Sequence, residues 1–248
     1  MKTVKIKFVD FHKGFNPKRN IFVDFLSLNY KIVFSDEPDY LIYSAFGDKH
    51  LRYNCVRIFF TTENRAPDFN ICDYGIGFNY IQFEDRYFRY PLYKLHRTYK
   101  YNTNNKVKKI DYNFVCNFIY SNSDANPYRD NFFKNLSKKI PIHSGGKHLN
   151  NIGYRVKNKL EFQKQFIFSI AIENDSSNGY TTEKIMDAYR AQTIPIYWGD
   201  PTISMQFNPK SFINLHTFGS TEEAILYIKS VLNDENRIRD YKDITGEE

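Results

Sequence analysis

FIFSIAIENDSSNGYTTEKIMDAYRAQTIPIYWGDP, residues 166 to 201, holds two sequence periods in succession. Residues 166–172 are a short apolar run rich in Phe and Ile, which predicts a buried strand. Residues 174–179 have pure loop composition. Thr181 is the predicted N-cap of a helix over 182–192, with Ile185, Ala188 and Tyr189 at helical spacing. Residues 194–198 form a second apolar strand, closed by Gly199, Asp200 and Pro201. The pattern predicts one parallel βαβ unit. Open α/β sheets bind ligands at the carboxyl ends of their strands, and Glu173, Tyr180, Glu183 and Lys184 fall at that edge. A carboxylate there suits a ribose diol, and a lysine at a helix N-terminus suits a phosphate. The stretch reads as half of a nucleotide site.

The remaining sequence extends this pattern in both directions. Strands are predicted at 4–9, 30–34, 40–44, 56–60 and 74–78, with a short helix at 22–28. Residues 100–111 are polar, basic and Asn-rich without periodicity, the composition of a linker. Beyond it come strands at 114–120 and 139–142 and helices at 131–136, 159–165 and 222–232. Ala224, Ile225, Ile228 and Leu232 make one apolar stripe on the last of these. The end, 233–248, is charged and expected to be surface or frayed. The fold expected is therefore α/β, with two Rossmann-like domains at 1–112 and 113–248.

With 248 residues the chain can bury a core as one large domain or two small ones. Its net charge of +7 points to an anionic substrate, an anionic membrane surface or nucleic acid. No dense Lys/Arg run accompanies a nucleic-acid motif, so no nucleic-acid partner is expected. Cys55, Cys72 and Cys116 include no C-x-x-C pair and read as reduced thiols. The opening MKTVKIKFVDF is an alternating strand rather than an apolar leader, and no segment is long and apolar enough to span a membrane. A cytoplasmic protein is expected, with at most peripheral membrane contact; its oligomeric state is left open. There is no G-x-G-x-x-G, P-loop or G-x-S-x-G, which weighs against dehydrogenase, NTPase and serine hydrolase chemistry.

The run E-N-D-S-S-N-G-Y-T-T-E-K-I, the following A-x-x-A-x-T-I-P-I-Y-W-G and the later F-N-P-K-S-F-I-N resemble glycosyltransferase family 10, the α-1,3/1,4-fucosyltransferases. The T-T-E-N-R-A-P segment around Glu63 agrees. The resemblance implies a GT-B architecture, two Rossmann-like domains facing across a cleft, with inverting transfer of L-fucose from GDP-fucose. The implied acceptor is an N-acetylglucosamine-containing glycan such as lipopolysaccharide, most simply through an α-1,3 linkage. It also assigns roles that the residues alone leave open. Glu63, after the strand 56–60, is either a loop carboxylate capping a turn or, as the resemblance implies, the general base. Lys184 is either an ordinary helix lysine or a cation for the leaving diphosphate. Arg129, in N-P-Y-R-D-N, is either half of a surface salt bridge with Asp130 or a second phosphate-binding cation. Glu183 is either a dipole-stabilised carboxylate or the ribose ligand. Tyr180 either packs the loop or touches the donor, while Glu173 and Asn174 either bind the donor or orient the loop.

No Asp-x-Asp pair occurs, and the six histidines show no ligand spacing. His143 and His148 flank a Gly-Gly turn and read as solvated loop residues. No metal and no cofactor are expected beyond the substrate GDP-fucose. Two other readings share this sequence: a GT-B transferase using another nucleotide sugar, and a non-catalytic glycan-binding protein on the same fold.

Overall fold

The computed structural model describes residues 1–96 and 111–243. The chain divides into two compact units, Met1–Pro91 and Leu92–Glu248. The 100–111 linker expectation falls almost wholly outside the described residues. The short 3-10 helix Leu92–His96 groups with the second unit, where the Tyr93 hydroxyl donates to Gln206 Oε1 at 2.8 Å.

The first unit is a six-stranded, all-parallel sheet. Its strands are β1 (Lys2–Val9), β2 (Tyr30–Phe34), β3 (Tyr40–Tyr43), β4 (Val56–Phe60), β5 (Tyr74–Gly77) and β6 (Tyr87–Arg89), in the order β2-β1-β3-β4-β5-β6. Only one α-helix, α1 (Ile21–Leu26), is found among its described residues. Asn20 starts it, accepting the amides of Phe22 and Val23. The five residues between β2 and β3 are too few for a normal parallel crossover. The register explains how they suffice. Phe34 and Tyr40 both pair with Ile6, so β3 begins at the level where β2 stops. The chain steps across β1 without returning along it.

The second unit is a five-stranded parallel sheet in the order β11-β10-β9-β7-β8. Its elements are β7 (Cys116–Phe118), α2 (Pro127–Ser137), β8 (Ile142–Ser144), α3 (Lys159–Gln163), β9 (Phe168–Ile172), α4 (Glu183–Arg190), β10 (Ile194–Trp198), β11 (Ile213–Asn214), α5 (Thr221–Leu232) and α6 (Glu235–Asp243). Alternation along β9 separates two cores. Phe168, Ile170 and Ile172 join the larger one with Phe132, Leu136, Ile225 and Ile228, whereas Ala171 joins the smaller one with Ile185 and Met186 of α4. A strand buried on both faces explains why four of its five residues are apolar, Ser169 being the exception.

The expected α/β class and most elements hold, and several boundaries move. Thr182, not Thr181, is the N-cap of α4, and the helix closes at Arg190. The strand expected at 139–142 lies at Ile142–Ser144, and the helix expected at 131–136 begins earlier, at Pro127 behind an Asn126 cap. The tail expected to be frayed instead forms α6, whose Ile238 is 0% exposed. Among the described residues no helix is long and apolar enough to cross a membrane.

Candidate functional site

Strand order locates the site in the second unit. From β7 the chain moves outward to β8, then returns to the other side of β7 for β9. The carboxyl ends of β7 and β9 therefore flank the topological switch point, where the two connections diverge and leave a crevice. A cavity of about 200 Å³ opens there. Tyr120, Ser121 and Asn122 line it from the loop after β7, and Asn174 from the loop after β9. Lys159 and Gln163 come from α3, and Glu183 and Lys184 from the first turn of α4.

The α4 side is organised by Glu173. This carboxylate is 0% exposed. It accepts the Thr182 amide at 2.8 Å, the Thr182 hydroxyl at 2.6 Å and Lys184 Nζ at 2.7 Å. One buried acid thus satisfies an otherwise unpaired amide at the helix start and fixes a cation beside it. The fit leaves no room at Gly199, where a Cβ would come within 2.4 Å of Glu173 Cγ. Burial pushes the Glu173 carboxyl up, with the Lys184 charge opposing. Burial works against the Lys184 ammonium, but Glu173 and Glu183 together hold its pKa above the ordinary lysine value. For Glu183, burial also opposes ionisation, yet Lys184, its own amide and Lys159 keep it below the usual carboxylate range. The cavity edge therefore carries an ionised carboxylate beside a persistently charged ammonium. Gly179 supports the loop leading into this edge through a backbone φ of +86°, which side chains other than glycine resist.

The β7 side is organised by Arg129. Its side chain is 0% exposed, so it is no surface salt bridge. One guanidinium nitrogen donates to the Asn122 carbonyl at 2.8 Å and another to Asn174 Oδ1 at 3.3 Å, while Nε faces Asp130 at 3.3 Å. The guanidinium also lies over the Tyr120 ring, 4.7 Å from its centroid. Arg129 does not itself line the cavity, but Tyr120, Asn122 and Asn174 do. His148 completes the arrangement, its Nε2 at 2.6 Å from Asp130 Oδ2. It is a partnered, mostly buried residue and not the solvated one expected.

Of the seven residues singled out from sequence, Asn174, Glu183 and Lys184 line the cavity; Glu173 and Arg129 hold its walls. Tyr180 is buried and does not line it; its carbonyl accepts from the Tyr197 hydroxyl at 3.4 Å. Glu63 belongs to the first unit, partly buried just past the carboxyl end of β4, with its amide donating to Thr61 Oγ1 at 3.1 Å. Sequence reasoning missed Tyr120, Ser121, Asn122, Lys159 and Gln163. The loop after a strand at 114–120 was visible, but its place beside β9 was not. Among the described residues no three His, Cys, Asp or Glu side chains converge on a point suited to a metal ion.

Comparison with known proteins gives the same picture over nearly the whole chain. Residues 6–96 match a family described as "Alpha-(1,3)-fucosyltransferase FucT N-terminal domain", and residues 104–244 match "Glycosyltransferase family 10 (fucosyltransferase) C-term". The α-(1,3)-fucosyltransferase FucT of Helicobacter pylori is 38% identical over 90% of this chain. The chain spans 55% of that relative's length. A crystal structure of an α1,3-fucosyltransferase superimposes with a TM-score of 0.84 at 34% identity, covering 97% of this chain and 81% of the other. An α1,3-fucosyltransferase crystallised with GDP-fucose gives a TM-score of 0.81 at 33% identity, covering 98% and 82%.

Proposed function

The chain belongs to glycosyltransferase family 10, the fucosyltransferases, and has their GT-B architecture of two α/β units; from that premise we propose that it is an inverting α-1,3-fucosyltransferase using GDP-fucose. The observation that carries the reading is the cavity at the β7/β9 switch point. It brings an ionised acid, Glu183, beside a charged lysine, Lys184, at a helix start.

In this reading the nucleotide occupies that cavity. Glu183 accepts from the ribose hydroxyls. Lys184 approaches the β-phosphate, with the amides and dipole of α4 adding to its charge. Arg129 adds positive charge from the β7 wall, and Asn122 and Asn174, which it orients, face the diphosphate. Glu173 and Tyr180 act as supports: Glu173 positions Lys184 and Thr182, and Tyr180 packs the loop. The acceptor is a hydroxyl of an N-acetylglucosamine-containing glycan of the lipopolysaccharide type. Its oxygen attacks C1 of the β-linked fucose and its proton passes to Glu63. The bond from C1 to the β-phosphate oxygen breaks, the electron pair leaves with GDP, and an α-linkage results. Fixed cations stabilise the charge developing on the diphosphate, so no divalent ion is required. The absence of an Asp-x-Asp pair from the sequence supports this part of the reading.

Nucleotide binding is tested by thermal shift in EDTA. GDP is expected to raise the melting temperature, with stabilisation of about 2.7 kcal/mol at a hundredfold excess over Kd, and UDP is expected to do so much less. A strict need for Mn²⁺ or Mg²⁺, or a larger shift with UDP, contradicts the proposal.

A further inference from the structure

The first sheet has a switch point of its own. From β1 the chain moves outward to β2 and then returns to the opposite side of β1 for β3. The carboxyl ends of β1 and β3 therefore lie side by side at this point, the position at which open α/β sheets take ligands. His12 and Phe46 are among the aromatic residues at this edge. His12 lies three residues past Val9, the end of β1, and Phe46 lies three past Tyr43, the end of β3. Glu63 lies three past Phe60, the end of β4, which neighbours β3. All three strands are parallel, so the three side chains start from one edge of one sheet.

Both aromatic residues are exposed and held in place. Phe46 is 49% exposed, and the His12 ring meets it edge-on with centroids 6.1 Å apart. The Phe46 amide donates to the Asp10 carbonyl at 2.9 Å, tying the β3 loop to the β1 loop. The Asp10 carboxylate accepts the amides of Lys49 at 3.1 Å and His50 at 2.9 Å, pinning the far end of the same loop. Ring contacts continue inward from His12 through Phe15, Phe8 and Phe22 to Phe60. His12 Nδ1 accepts the Gly14 amide at 3.1 Å, which makes Nε2–H the donor of the neutral ring, with no partner among the described residues.

We propose that Phe46 and His12 form the acceptor-sugar platform of this chain. A pyranose has an apolar C–H face and a rim of hydroxyls. Phe46 covers the face, His12 Nε2–H donates to a rim hydroxyl, and the sugar's reactive hydroxyl is directed along the edge toward Glu63. Adjacent strands stand about 4.8 Å apart, so the edge from β1 through β3 to β4 extends about 10 Å. That length accommodates two linked sugar rings. The inference rests on the proposed fucosyl transfer for the role of the sugar, though not for its binding.

The test uses N-acetyllactosamine as acceptor with Phe46→Ala, His12→Ala and Phe46→Trp. The acceptor KM is expected to rise about tenfold in Phe46→Ala, the scale of one lost aromatic contact, and severalfold in His12→Ala. The GDP-fucose KM and the slow hydrolysis of GDP-fucose without acceptor are expected to stay within twofold, and Phe46→Trp to restore the acceptor KM. An acceptor KM unchanged in both alanine variants, with folding intact by circular dichroism, overturns the platform. If the wild-type protein transfers fucose to no acceptor, the transfer reading is what fails, and saturation-transfer NMR with N-acetyllactosamine decides the platform separately. Signals present in wild type and lost in Phe46→Ala uphold it; no signals in wild type overturn it.

Discussion

Lys184→Ala is expected to lower kcat/KM for fucose transfer by a factor on the order of 10² to 10³, the usual loss on removing one preorganised charge-stabilising donor. The variant has a second effect. Among the described residues Lys184 is the one cation bonded to Glu173, which is 0% exposed, and deleting one partner of a buried pair costs on the order of 3–5 kcal/mol of stability. Turnover must therefore be read beside the melting temperature. A double variant, Glu173→Gln with Lys184→Met, removes the stranded charge. It is expected to recover most of the stability and none of the turnover. If it recovers both, Lys184 serves the fold alone.

Glu63→Gln is expected to reduce turnover by about 10² or more, the scale for loss of a general base. The substitution keeps the size and most of the hydrogen-bonding capacity of the side chain. GDP affinity is expected to change little, because the described residues that line the cavity proposed for the nucleotide all belong to the second unit. Both quantities are measured on one preparation. Near-normal turnover removes Glu63 from the mechanism. Lost GDP affinity with an intact fold makes it a donor-site residue.

What was legible in the sequence follows from what each signal depends on. The β9–α4–β10 unit was readable because two buried strands and an amphipathic helix have distinct periods and lie consecutively. Its carboxyl edge was readable for the same reason, which placed Glu183 and Lys184 there, while their expected donor roles came from the resemblance. Ser121 and Asn122 required knowing that β7 neighbours β9, and strand order leaves no mark on a single sequence. Lys159 stands at the start of a five-residue helix with no motif around it. α6 was missed because ENRIRDYKD offers only Ile238 and Tyr241 as apolar anchors. Tertiary contact supplies the rest: Ile238 is buried in the larger core, and the Tyr241 hydroxyl meets that of Tyr227 at 2.8 Å. β6 and β11 have three and two residues, and depend on their neighbours' ladders more than on their own pattern. For Arg129, sequence left a choice between a surface salt bridge and a phosphate-binding cation; the fold removes the surface position by burying the side chain completely.

The most direct measurement is transfer itself. The purified chain is incubated with GDP-fucose and N-acetyllactosamine in the presence of EDTA, and the glycan is analysed by mass spectrometry and NMR. The expected product carries one added deoxyhexose per acceptor in α-linkage to the N-acetylglucosamine, with stoichiometric release of GDP. No fucosylated product, a product formed only after a divalent ion is restored, or a product formed from another nucleotide sugar in preference to GDP-fucose contradicts the proposal.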